Sequence, residues 1–258
     1  MEYQTILYEL ADNVATVTLN RPETLNALTQ QMRAEITHAL GVAGKEARVV
    51  VLTGAGKAFC SGQDLGDGSS AANLDLERTL RDEYLPMIRA IRECPVPTIC
   101  AVNGPAAGAG ANLALSADVV IAKESAYFMQ AFSRIGLMPD AGGTYELPRS
   151  MGAAKAMGAA LFADKITARQ ADDWGMIWEA VADEAYSAQV EARATYLANG
   201  PTLAFKEIKR TIQESYGNDW GAQMAQEAKR QGKLGKTRDF KEGVVAFLDK
   251  RPAKYEGR

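Results

Sequence analysis

Two uninterrupted apolar runs, RVVVLTG (48–54) and TICAVNG (98–104), each closing on glycine, are the strongest constraint this chain places on its fold. A strand with water on one face alternates apolar and polar residues. A run that is apolar throughout is covered on both faces, which points to parallel strands with helices packed above and below. The neighbouring segments fit that reading. Residues 3–9 and VATVTL (14–19) are expected strands turning at Asp12-Asn13, and Asn20-Arg21-Pro22 ends the second. Met32, Ile36 and Leu40 space a helix over about 29–41, and Leu76, Leu80, Tyr84, Ile88 and Ile91 space another, stopped by Pro95 and Pro97. VVIAKESAYFM adds two strands around Lys123-Glu124. From Gly142-Gly143 the pattern is helical nearly to the end, with Ala204, Ile208, Ile212 and Tyr216 as one stripe expected to be buried. The polar Gly/Ser-rich stretch 66–73 reads as a mobile loop. No Pro- or Ser-rich linker interrupts the chain. The expectation is therefore an α/β core over 1–195 and a C-terminal helical region over 196–258, with two domains split near 195 as the alternative.

Composition then removes whole classes of function. A chain of 258 residues buries a full core without disulfide or metal staples. Its 29 basic and 32 acidic residues form no long cationic cluster, so no nucleic-acid surface is expected, since that affinity comes mostly from neutralised phosphates. No 18-residue apolar run occurs, and MEYQTILYEL lacks the basic and apolar regions of an export signal, so a cytoplasmic protein without a membrane partner is expected. Cys60, Cys94 and Cys100 have no metal-ligand spacing and read as reduced, buried thiols. The single histidine, His38, excludes most common zinc sites and would have to serve any Ser-His-Asp triad alone. It lies in helical spacing and reads as structural. Chemistry is left to carboxylates and backbone groups, with no metal expected.

Three glycine-containing turns follow strands: TGAGKAFCSGQDL, NGPAAGAGANL and GLMPDAGGTYELPR. Free backbone N–H groups at such turns can bind an anion or a developing oxyanion. The same glycines serve equally well to let a helix pack closely on a strand. Neither nucleotide motif fits: Gly56-Lys57 is followed by Ala58, and the third glycine of a dinucleotide fingerprint is replaced by Leu113. The third turn carries Asp140 between Pro139 and Ala141-Gly142-Gly143. A helix N-cap is its ordinary reading; a general base or nucleophile is the functional one.

At this point the chain resembles a known family, the crotonase superfamily of enoyl-CoA hydratases and isomerases. The resemblance runs end to end through LNRPETLNALT (19–29), LTGAGKAFCSGQDL (52–65), AVNGPAAGAGANLALSADVVIA (101–122) and AFSRIGLMPDAGGTYELPR (131–149). It implies a crotonase (ClpP-like) spiral of ββα units with a C-terminal helical trimerisation region. It also implies a homotrimer or dimer of trimers, and an acyl-CoA thioester substrate with coenzyme A as part of that substrate rather than a cofactor. Matching motif to motif, the amides of Gln63 and Ala109 would form an oxyanion hole, for which side-chain identity should matter little. Ser61, Gly62, Asp64, Leu65 and Gly108 would lie along substrate, with Asn26 and Ala27 near the CoA moiety. Asp64 would more readily serve its turn than catalysis. Lys250 and Phe247 would reach CoA, of the same or a neighbouring subunit.

The resemblance also implies which reaction. Hydratases of the family carry two glutamates at the positions of Asn112 and Phe132, and neither residue can activate water. Asn112 would contact substrate through its amide or simply pack its helix, and Phe132 would line the acyl site. Asp140 stands where isomerases and aryl-CoA dehalogenases place a carboxylate. FCSGQDL, AAGAGANLAL, FSRIGLMPDAGGT, ADDWGMIWEAV and EGVVAFLDKR resemble the ring-epoxide isomerases of phenylacetate breakdown, which turn 2-(1,2-epoxy-1,2-dihydrophenyl)acetyl-CoA into oxepin-CoA. The alternatives are a Δ3,Δ2-enoyl-CoA isomerase or a hydratase-like enzyme of fatty-acid oxidation. A dehalogenase or hydrolase would lack a histidine on the 76–91 helix to activate water, and a non-catalytic CoA-ester binder would leave Asp140 without a purpose.

Overall fold

The computed structural model describes residues 2–66 and 75–257. A six-stranded sheet runs in the order β1 (Ile6–Ala11), β2 (Val14–Leu19), β3 (Val49–Gly54), β4 (Thr98–Val102), β6 (Val119–Lys123), β9 (Glu179–Val181). Within this sheet, among the described residues, only β1 and β2 pair antiparallel; the register then steps in parallel from Val14 opposite Val49 to Val50 opposite Thr98, Ile99 opposite Val119 and Ile121 opposite Glu179. Strands β4 and β6 are each followed within a few residues by a short strand of a second sheet, β5 (Ala106–Ala107) and β7 (Tyr127–Met129), which β8 (Ile166–Thr167) completes. This two-sheet progression is the expected ββα spiral.

The apolar runs are covered on both faces, as their composition requires. Val50 and Leu52 belong to the main core with Met32, Ile36 and Leu40 of α1 (Gln30–Glu46), while Val49 and Val51 pack with Ile99 and Ile121 against Tyr186, Ala194 and Ala198 of α7 (Tyr186–Ala198). Thr29 caps α1, its hydroxyl accepting from Met32 N at 3.2 Å. The helix runs past the expected end at 41 to Glu46, and Gly44 in this extension is a packing contact: a Cβ there would lie 2.7 Å from Pro95 Cδ. The second expected helix is composite. It starts as α2 (Leu76–Thr79), widens into a π segment (Leu80–Tyr84) and continues as α3 (Leu85–Arg92). The expected loop at 66–73 lies outside the described residues except for Gly66. All three cysteines are buried and unpaired, and burial pushes the Cys60 thiol up to about 12.

Two expectations are corrected. The region after Gly143 is not helical throughout. α5 (Gly143–Phe162) is followed by β8, α6 (Ala168–Asp173) and β9 before α7, and two strands of two and three residues are too short to show a period. The stripe on α8 (Thr202–Ser215) is not buried by this chain either, since Ile208, Ile212 and Tyr216 are each more than half exposed. The helix docks through its polar side instead: Lys209 Nζ lies 2.8 Å from Asp118 and donates to Ile91 O at 3.1 Å, and Gln213 donates to Arg92 O. α9 (Trp220–Leu234) and α10 (Arg238–Leu248) complete the C-terminal region, and the boundary drawn at 195 falls in the last turn of α7. No helix among the described residues is long and apolar enough to cross a membrane.

Candidate active site

The two glycine turns after β3 and β4 meet. Leu28 N–H donates to Gly62 O at 2.8 Å and Leu28 O accepts from Asp64 N at 3.2 Å, the bond pair of a parallel bridge between Leu28 and Gln63. In such a bridge the intervening residue turns its own N–H away from the partner strand. Gly62 holds φ +99°, and a Cβ on it would sit 2.9 Å from Ala107 O and 3.4 Å from Ala109 N. Only glycine lets the 61–63 and 107–109 turns approach this closely. A second bridge, Cys60 to Ala106, ties them together, with Ala107 N donating to Cys60 O at 2.9 Å. Ala109 opens α4 (Ala109–Leu115) behind Gly108 at φ +52°. Among the described residues, neither the Gln63 nor the Ala109 amide donates to a protein acceptor.

Both residues line a cavity of about 310 Å³ together with Ser61, Gly62, Leu65, Gly108, Phe132 and Asp140. A second cavity of about 680 Å³ shares Asp140, Leu80 and Tyr84 with the first and is lined further by Leu85, Ile88, Arg92, Tyr145 and Glu146. Asp140 is the only carboxylate lining the first cavity among the described residues. The N-cap reading of Asp140 is corrected here: α5 begins at Gly143 behind Gly142, and no side chain caps it. Asp140 Oδ1 is buried without a hydrogen-bond partner, and burial raises the carboxyl to about 6. A carboxyl in that state is a competent proton acceptor near neutral pH.

Several expected contacts turn out to be supports. Asn112 is 1% exposed; its Nδ2 donates to Asp140 O at 2.8 Å and its Oδ1 accepts from Gln130 at 2.8 Å, so it holds the Asp140 turn from behind instead of reaching substrate. Asn26 is fully buried and joins Arg21 N to the carbonyls of Ala55 and Ala58. Ala27 is buried, its carbonyl taken by Arg21. Asp64 is bound by Arg21 at 2.7 Å and by Gly66 N at 2.9 Å, which hold its carboxyl below the usual range, so it braces the turn. None of these four lines either cavity, because each has its polar atoms committed inside the loop it stabilises. Lys250 and Phe247 lie exposed at the end of α10 and line neither cavity, being carried there by the C-terminal region. His38 is exposed on α1, its Nδ1 2.9 Å from the Tyr3 hydroxyl.

Below the Gln63 turn lies a polar cluster that the motifs did not reveal. Arg33, 3% exposed, places Nη1 2.8 Å from Leu28 O and 2.9 Å from Gln63 Oε1 and pairs with Glu83 through Nε and Nη2. Tyr84 donates its O–H to the same Gln63 Oε1 at 2.5 Å. The π segment of the composite helix carries Glu83 and Tyr84 into this cluster. One signal was present in the sequence: Arg33 falls three residues before Ile36 and seven before Leu40, on the buried face of α1, where an unpaired charge would be costly.

Residues 9–258 match the family model described as enoyl-CoA hydratase/isomerase. The chain is 58% identical over the whole of both chains to a Rhodobacter capsulatus protein named "Probable enoyl-CoA hydratase". It is 43% identical, over 98% of each chain, to the 1,2-epoxyphenylacetyl-CoA isomerase of Escherichia coli. The crystal structure of an enoyl-CoA hydratase from Polaromonas superposes with a TM-score of 0.92 at 32% identity, over 97% of this chain and 99% of that one. With its spiral of two sheets and its paired turns, this chain belongs to the enoyl-CoA hydratase/isomerase family.

Proposed function

We propose that this chain is an acyl-CoA isomerase that moves one proton on a thioester substrate, with 2-(1,2-epoxy-1,2-dihydrophenyl)acetyl-CoA as its substrate and oxepin-CoA as its product. The observation that carries this reading is Asp140: a carboxyl with an unpartnered oxygen, on the wall of a cavity also lined by Gln63 and Ala109, whose amides donate to no protein acceptor among the described residues. The thioester oxygen sits between those two amides. Asp140 takes a proton from the carbon next to the thioester, and the electron pair moves into an enolate whose negative oxygen the amides hold. Loss of one such donor typically costs about 2.7 to 4 kcal/mol of transition-state stabilisation. The abstraction by Asp140 follows opening of the bond between the two epoxide carbons, which gives the seven-membered oxygen ring a double bond one carbon removed from conjugation with the thioester. Return of the same proton to the far end of the enolate then completes the shift, with no water consumed. The 43% identity to the Escherichia coli ring-epoxide isomerase supports this substrate.

A second reading, a Δ3,Δ2-enoyl-CoA isomerase, uses the same proton path on a straight chain. The apolar cavity of about 680 Å³ that Asp140 also lines favours it, because it has room for an acyl tail. Hydration, the activity in the name of the Rhodobacter relative, would need further acid or base groups on water, and Asn112 and Phe132 offer none.

Asp140→Asn should abolish turnover of both the epoxide and a 3-enoyl-CoA while leaving acyl-CoA binding nearly intact; undiminished turnover would refute the reading. We further infer that the exposed stripes of α8 and α10 are covered by other copies in a homotrimer or dimer of trimers, placing Lys250 and Phe247 near a neighbour's CoA. The mass in solution by light scattering tests the assembly.

A further inference from the structure

We propose that the Gln63 side chain is a positioning element through which Arg33 and Tyr84 set the aim of the Gln63 amide. A backbone donor would ordinarily be indifferent to its side chain, yet here both polar atoms of the side chain are engaged. Oε1 accepts from Arg33 Nη1 at 2.9 Å and from the Tyr84 hydroxyl at 2.5 Å, and Nε2 donates to Asp64 O at 3.1 Å. Arg33 uses its other Nη1 hydrogen on Leu28 O, the atom that already accepts from Asp64 N. One guanidinium therefore grips the bridge strand and the side chain on either side of the 62–64 turn. Glu83 accepts from the remaining edge of Arg33 and fixes its plane, and the Tyr84 ring lies 4.7 Å from the guanidinium carbon. Rotation of the peptide between Gly62 and Gln63 would break the Leu28 N–H bond to Gly62 O and pull the Gln63 side chain against its part-buried, charge-assisted contact with Arg33. The amide is thereby aimed before substrate arrives, which is the condition for a preorganised oxyanion donor to act without reorganisation cost.

This inference rests on the reading that the Gln63 and Ala109 amides hold the thioester oxygen, and the experiment separates the two. The probe is 3-phenylacryloyl-CoA, a conjugated thioester with no proton to shift, whose absorption band moves to longer wavelength when its carbonyl is polarised. Wild type and Asp140→Asn should show the same band shift on binding. Gln63→Met and Arg33→Met should lose most of it, with isomerase kcat down at least about tenfold and the probe's Kd changed less than about threefold, because misaiming a group by about 1 Å costs up to about a hundredfold. Arg33→Lys should recover part of the shift. Full shift and full turnover in Gln63→Met would overturn the proposal. Bound wild type with no shift would overturn the oxyanion reading and the proposal with it, a result distinguishable because wild type and variants would then agree. Should Arg33→Met fail to fold, Gln63→Met, which leaves the Arg33–Glu83 pair in place, decides alone.

Discussion

Asn112 donates its side-chain amide to the main-chain oxygen of Asp140 at 2.8 Å, so the residue standing where a hydratase of the family would carry a glutamate here shapes the backbone beneath the proposed base. Gln130 completes the brace by donating to Asn112 Oδ1, and both side chains are about 1% exposed. Asn112→Ala strips Gln130 Nε2 of its buried partner and leaves Asp140 O with the Gly143 N–H alone, a loss of about 1–3 kcal/mol. Urea unfolding should show that loss, and kcat should fall more than KM rises, because the turn carrying Asp140 loses its support. A variant with normal kcat would show that the turn is held by other contacts.

The elevated carboxyl of Asp140 fixes the sign of two pH effects. As a base it works only when ionised, so kcat/KM should fall about tenfold per pH unit below pH 6. Stability runs the other way. The folded carboxyl titrates at about 6 against an ordinary 3.8, so between those values the folded state holds a proton that the unfolded chain has released. Its contribution therefore declines as pH rises through that window and is lowest above it. Asp140→Asn removes the buried charge and should melt at a higher temperature than wild type at pH 7.5, with the gap closing toward pH 4. A gap of equal size at both pH values would mean that burial of the charge carries no cost.

What the sequence made legible follows from how locally each feature is encoded. The doubly covered strands at 49–54 and 98–102 were readable because burial on both faces leaves an uninterrupted apolar run. The Gln63 and Ala109 turns were readable because a close approach of backbones demands glycine at position 62 and a positive φ favours it at position 108. β8 and β9 carried no signal, since two or three residues cannot display alternation. The Arg33, Glu83, Tyr84 and Gln63 cluster was hidden because its members come from three separate segments and join only through tertiary packing. Asp140 was ambiguous for a related reason: whether an aspartate before a helix caps it depends on where the helix starts, and here it starts three residues later, at Gly143.

Gly143 gives a steric test of the same brace. A Cβ at Gly143 would fall 2.4 Å from Asn112 Nδ2, well inside any tolerated contact. Gly143→Ala must displace Asn112 or the start of α5, and either movement breaks one of the two hydrogen bonds that Asp140 O accepts, from Asn112 Nδ2 and from Gly143 N. Activity should drop at least as far as in Asn112→Ala. The double variant Asn112→Ala with Gly143→Ala should be less impaired than the product of the two single effects, because the smaller side chain vacates the space the methyl needs. Strict multiplication of the two effects, measured by kcat/KM, would place the cost of the methyl elsewhere.

The C-terminal helices depend on a buried ion pair, and its energetics can be separated from packing. Lys209 Nζ lies 2.8 Å from Asp118, whose carboxylate also accepts from Thr98 N and Oγ1 at 2.8 and 2.9 Å. Burial pushes the Asp118 carboxyl up while Lys209 opposes that rise. Lys209→Met removes the opposition and strands a buried acid, a change that typically costs about 3–5 kcal/mol. Because the raised carboxyl then rises further, the variant's deficit should be largest above neutral pH and shrink as Asp118 takes up a proton on acidification. Asp118→Asn combined with Lys209→Met leaves no charge to strand and should recover much of the loss. Chemical denaturation of the four proteins at pH 5 and pH 8 measures the coupling, and additive single effects would mean that α8 is held by its surrounding contacts, with the ion pair contributing nothing net.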